Sequence, residues 1–137
     1  MDKPTSSRSN PEARRAYTRW HYSQNKAAYK ERARAKTTET RAAIRAWIHS
    51  YLEGKRCVDC GEHDPIVLEF DHREPGSKRF TIASASRGGF SLRSVQQEVE
   101  KCDVRCANCH RRITYVRAGR THRGVANTYE LRKPEAP

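Results

Sequence analysis

Residues 106–114 read CANCHRRIT, two cysteines in C-x2-C spacing with a histidine directly after the second. Such a turn aims two thiolates at one ion. An earlier CVDC at 57–60 offers a second pair. Cys57, Cys60, Cys106 and Cys109 therefore supply the four sulfurs of a tetrahedral structural zinc site. A zinc held by four thiolates is full, which leaves His110 outside it. The 45 residues between the pairs exceed what a simple zinc ribbon needs, so a folded insert is expected between them.

The rest of the composition agrees with a metal-stapled fold. The chain has 137 residues, 35% of them hydrophobic and 32% charged, too little apolar surface for a large self-sufficient core. Five cysteines, an odd number, and an N-terminus without the apolar core of a secretory signal favour metal thiolates over disulfides. No apolar run reaches the length of a membrane span, and a cytoplasmic location is expected. The net charge of +12 calls for a polyanionic partner. Residues 1–56 carry 14 Lys/Arg against 5 Asp/Glu, and residues 57–137 carry 14 against 11, so the front of the chain is an electrostatic arm.

Residues 1–10 are polar and read as disordered. Asn10, Pro11 and Glu12 mark a helix start, and an Ala/Arg/Lys/Glu-rich helix with Tyr17, Trp20, Tyr22 and Tyr29 is expected to about Lys36. The TTET at 37–40 is expected to break it. A second helix over 41–53 places Ile44, Trp47, Ile48, Tyr51 and Leu52 on one face, and Gly54 stops it. PIVLEF at 65–70 reads as a strand leading into Asp71-His72, and RFTIA at 79–83 as its hairpin partner. After a link at 84–90, Ser91 caps a helix bearing Leu92, Val95, Val99 and Cys102. The same phase makes Cys102 a buried thiol and not a ligand. A closing helix runs from about Asn108 to Arg117, Gly119 ends it, and the remainder to residue 137 reads as a tail. The organisation expected is thus 1–10 disordered, 11–54 a basic helical arm, 55–118 a zinc-stabilised domain and 119–137 a tail.

With zinc satisfied by sulfur, Asp71, His72 and His110 remain. A carboxylate oxygen of Asp71 and an imidazole nitrogen of His110 suit a second, harder cation whose open positions take water or phosphate oxygen. His72 is then free to accept a proton from an attacking water. The plainer reading makes His72 a strand-end surface residue and His110 a polar group at a helix start. Composition and spacing leave both standing.

The segments LEFDHRE and KCDVRCANCHRRIT, with C-x2-C on either side of the first, resemble the HNH endonucleases, in particular zinc-bearing phage and bacterial members with a basic helical arm. The likeness covers about residues 55–117. It implies an α+β chain with a ββα-metal core stapled by a four-cysteine zinc and preceded by basic helices. It also implies a magnesium or manganese ion on Asp71 and His110, His72 as general base, and hydrolysis of DNA phosphodiesters. The family's middle Asn has no counterpart: Lys101 stands in that stretch, no Asn lies between His72 and Cys106, and Asn108 is the nearest. His110 is followed one turn later by Thr114, so no second helical histidine joins it.

Arg73, Lys78, Arg79, Arg111 and Arg112 flank these residues and are candidates for phosphate contacts, while the arm supplies affinity without a legible base-reading code. Phage packaging proteins are candidate partners, and nothing specifies an oligomer. His21, His49, His63 and His122 read as surface residues. Two other readings compete: a non-catalytic zinc DNA-binding module with a vestigial Asp-His pair, and an RNA-binding zinc ribbon. The latter lacks evident exposed aromatic platforms.

Overall fold

The structure is a computed structural model that describes residues 3–5 and 9–119. The expected tail, with His122, lies outside these residues apart from Gly119, as does part of the expected N-terminal disorder. The chain divides into two compact units, Met1–Glu39 and Thr40–Pro137.

One helix, α1, spans Pro11–Leu52. Asn10 Oδ1 accepts from the amides of Glu12 and Ala13 at 2.9 and 3.2 Å, and Pro11 opens the first turn, as the sequence predicts. The expected break at 37–40 is absent. Thr37 returns its hydroxyl to the Ala33 carbonyl at 2.8 Å and Lys36 pairs with Glu39 at 3.1 Å. With no Gly or Pro in TTET, nothing stops the helix, and Thr37 bonds back along it. Within Pro11–Glu39 no residue is buried. Its aromatics pack on one another: Tyr17 with Trp20 and His21, Tyr22 with Tyr29, and His21 edge-on to Tyr29.

In the second unit α1 turns amphipathic. Ile44 and Leu52 are buried, and Trp47, Ile48 and Tyr51 pack beside them. Gly54 takes φ 77°, the left-handed conformation that ends helices at glycine without strain. Strands β1 (Leu68–His72) and β2 (Cys102–Cys106) pair antiparallel, with Leu68 opposite Cys106 and His72 opposite Cys102. Between them lie a 3-10 turn at Pro75–Ser77, a short helix α2 (Ile82–Ala85) and α3 (Leu92–Val99). Helix α4 (Ala107–Arg117) follows β2 directly, with Cys106 as its N-cap.

This order corrects three sequence expectations. The first strand is 68–72, not 65–70: a turn carries the chain through Pro65–Val67 and leaves Ile66 89% exposed. RFTIA is not a strand. Ile82 and Ala85 are both buried at helical spacing, and Phe80 stacks on Phe90 at 3.8 Å. The partner of β1 is CDVRC, which begins 30 residues beyond β1's end. Cys102 therefore sits on a strand and not on α3, though it is buried in the same cluster as Val95 and Val99. Ser91 caps α3 as expected, accepting from the Ser94 amide at 3.1 Å.

Two small apolar clusters fill the unit. Ile44, Ile82, Ala85, Val95, Val99 and Cys102 form one, and Leu52, Cys57, Leu68, Val104, Cys106 and Cys109 the other. Ile48, Tyr51 and Phe70 bridge them. Three of the six members of the second cluster are cysteines of the C-x2-C turns, so the cysteine turns and the core are one structure. Among the described residues no helix is long and apolar enough to cross a membrane.

Candidate metal centre and polar cleft

Pairing of β1 with β2 brings the knuckles together. Val58 donates its amide to the Val104 carbonyl at 3.0 Å, laying the first knuckle along β2, whose last residue opens the second. The ligand atoms of Cys57, Cys60, Cys106 and Cys109 all lie within 4.8 Å of one another. A tetrahedral zinc with bonds of about 2.3 Å sets neighbouring sulfurs about 3.8 Å apart. Cys60 Sγ and Cys106 Sγ are 3.7 Å apart. The four cysteines can therefore hold a structural metal such as zinc. Burial pushes the Cys57 thiol up, but hydrogen bonds from the backbone of Cys106, Cys60 and Asp59 outweigh it and bring it down to about 7. Cys102 stays outside the cluster, and burial and the Glu98 charge raise it to about 11. It is a buried thiol, as expected, but it is buried from β2 and not through the helical phase that suggested it.

The strand pleat sorts the remaining chemistry. Leu68, Phe70, His72, Cys102, Val104 and Cys106 share one face of the sheet, and Glu69, Asp71, Asp103 and Arg105 share the other. Asp71 and Asp103 sit directly opposite, an arrangement that two like charges disfavour. Arg105 resolves it. Its buried guanidinium donates through Nη1 to Asp71 Oδ2 at 3.0 Å and Asp103 Oδ2 at 3.2 Å, and through Nε to Asp59 Oδ2 at 2.8 Å. Asp59 belongs to the first knuckle, so Arg105 ties the cysteine turn to Asp71.

His110 projects from the first turn of α4 toward the polar face. Its Nδ1 lies 2.6 Å from Glu69 Oε2 and its Nε2 3.6 Å from Asp71 Oδ1. With Nδ1 on the Glu69 carboxylate, Nε2 is the ring nitrogen turned toward Asp71. The 3.6 Å separation is too long for a hydrogen bond. Arg117 also reaches Asp71, donating through Nη1 to Oδ1 at 2.8 Å and to the His72 carbonyl at 3.2 Å.

His72, on the other face, places Nε2 2.9 Å from Glu98 Oε1. Glu98 is 0% exposed and also accepts from the Arg79 amide at 2.7 Å and from Lys101 Nζ at 2.7 Å. Burial pushes its carboxyl up, but Lys101, the Arg79 amide and His72 together outweigh that and hold it at about 2.

Asp71, His72, His110 and Lys78 all line one cleft of about 890 Å³, with Arg45, His49, Thr114 and Arg117. The structure thus brings the three candidate chemical residues to one opening. The other basic candidates lie elsewhere or serve otherwise. The Arg73 guanidinium clamps the Cys102 and Glu100 carbonyls and Asp103. Arg79 engages Glu98 through its backbone, Arg111 borders a smaller cavity of about 280 Å³ with Glu69 and His110, and Arg112 is exposed on α4.

Sequence reasoning missed Glu69, Glu98, Arg105 and Arg117. Only Glu98 left a local trace: it falls three residues after Val95 and one before Val99, a charge on the apolar face of its helix. The others act across 34 to 46 residues of chain. Comparison with protein-family models, with curated proteins and with solved structures finds no match.

Proposed function

We propose that the chain is a metal-dependent endonuclease of the HNH type, acting on DNA phosphodiesters from a cleft supported by a four-cysteine zinc. The observation that carries this reading is that Asp71, His72 and His110 all line one cleft, Asp71 and His110 from one sheet face and His72 from the other, with each imidazole held by its own carboxylate. The antiparallel pairing of β1 with β2 and the helix α4 that follows β2 support a ββα reading in which α2 and α3 are inserted between the strands. Asp71 Oδ1 and His110 Nε2 fit two positions of a magnesium or manganese shell, leaving the rest for water and phosphate. When bound, that ion supplies charge for the extra negative charge on phosphorus and on the leaving oxygen.

The chain's own part is acid–base and positioning chemistry. His72 takes one proton from a water molecule. The water oxygen forms a bond to phosphorus, and the phosphorus–O3′ bond breaks. The electron pair leaves with O3′, which takes a proton from solvent. Lys78, and Arg117 once it leaves Asp71, neutralise the flanking phosphates, and the basic α1 adds sequence-independent affinity. The partner on this reading is DNA.

One observation favours a second reading. Both Asp71 oxygens accept from guanidinium groups, which suits a carboxylate used only for structure. A zinc DNA-binding module with a vestigial site would look this way. Incubating supercoiled plasmid with the zinc-loaded chain in magnesium or manganese separates the two. The nuclease reading expects nicking that EDTA stops and that His72→Ala and His110→Ala lose by about 10²-fold or more while keeping zinc and DNA binding. Tight binding without cleavage in every metal tried would leave the module.

A further inference from the structure

We propose that Glu98 is the positioning residue for His72, fixing the neutral ring with its proton on Nε2 so that Nδ1 is the atom that takes the proton from water. The inference rests on the reading of His72 as a base and names what orients it in a chain without the family's middle Asn.

Three features support it. Glu98 is completely buried, and a buried carboxylate persists only where donors satisfy its oxygens. Its donors are divided between two jobs. Oε1 accepts from His72 Nε2 and from the Arg79 amide, while Oε2 accepts from Lys101 Nζ. Held at about 2, the carboxyl is ionised at any working pH and can only accept, so the His72 nitrogen facing it must carry hydrogen.

The same carboxylate also organises the loop beside the base. Lys101 Nζ donates to the Ser77 carbonyl at 3.0 Å as well as to Glu98, and the Arg79 amide anchors the loop's far end. Pro75 and Lys78, within that loop, line the cleft. One buried group therefore sets the ring and the wall of the cleft next to it. The role parallels that of a carboxylate behind a catalytic imidazole, which selects a tautomer and does not itself touch substrate.

The test reads the tautomer directly and needs no activity. In the zinc-loaded, 15N-labelled full chain, long-range proton–nitrogen correlation of the His72 ring, recorded along a pH series so that the neutral form is observed, is expected to show Nε2 protonated and Nδ1 bare. Glu98→Gln, whose amide can donate as well as accept, is expected to lose that preference and to slow nicking by about 10²-fold with DNA binding kept. A neutral His72 ring protonated on Nδ1 in the parent would overturn the inference, as would Glu98→Gln with the parent's tautomer and rate. If Glu98→Gln fails to fold, the parent spectrum alone decides. Nicking with Nδ1 protonated would sink this inference and spare the nuclease reading. No nicking by the parent in any metal would sink that reading, and this role for Glu98 with it.

Discussion

The two sites of this chain sit on the same pair of strands and are built in opposite ways. The cysteine cluster draws its four ligands from two local turns and is woven into an apolar cluster. The polar cleft draws Asp71, His72 and His110 from a strand and a helix, and each is held by a charged residue distant in sequence. A site closed by sulfur contributes stability. A cleft whose carboxylates and imidazoles are held by ion pairs is, on the proposed reading, one that exchanges those pairs for a ligand. Arg105 connects the two, since one guanidinium serves Asp59 in the knuckle and Asp71 in the cleft.

The largest effect expected is on the cysteine side. Structural zinc contributes about 10–16 kcal/mol in zinc-finger peptides, as much as the whole stability of an ordinary domain, about 5–15 kcal/mol. With two small apolar clusters as its core, residues 40–119 are expected to unfold on zinc removal or with Cys106→Ser. Near-UV circular dichroism with zinc analysis checks this, and a native spectrum without zinc would break the contrast. Arg105→Ala comes next. It takes the ion-pair partner from buried Asp59 and leaves Asp71 to Arg117 and Asp103 to Arg73, and is expected to cost about 3–5 kcal/mol, read by urea unfolding of the zinc-loaded chain. Loss of only a few tenths would show that the two sites are not mechanically joined.

Glu98→Gln is expected to cost about 2 kcal/mol, from a charged and buried hydrogen-bond centre. The sign with pH follows from the carboxyl lying at about 2 in the folded chain against an ordinary 4.5. Its contribution is complete above about pH 4.5 and is lost as pH falls toward 2. The gap between parent and variant should therefore narrow as pH falls below about 4.5, and a gap that widens there would contradict the assignment. The smallest effect concerns Arg117, which occupies Asp71 Oδ1. Arg117→Ala is expected to tighten manganese binding a few-fold, measured by calorimetry, with stability changed by under about 1 kcal/mol.

The same contrast explains what could be read from the sequence. Ligand spacing within a turn is local, so the four-cysteine cluster, the Asn10 and Ser91 caps and the apolar face of residues 44–52 were all legible. Asp71, His72 and His110 were legible as residue types and by resemblance, and all three line one cleft. What failed was long-range. RFTIA carries strand-forming residues next to a loop, but burial of Ile82 and Ala85 at helical spacing overrides that propensity. CDVRC, containing a knuckle cysteine, hid the true partner of β1. The partners Glu69, Arg105 and Arg117 exist only because that pairing stacks 69, 71, 103 and 105 on one face.

On the proposed reading the neighbouring residues Cys109 and His110 serve different ions. Manganese titration of the zinc-loaded chain, followed by electron paramagnetic resonance, tests it most directly. The account predicts one manganese bound per chain, lost in Asp71→Asn and in His110→Ala, with zinc content unchanged in both. Manganese that fails to bind, or zinc lost with His110→Ala, would contradict it.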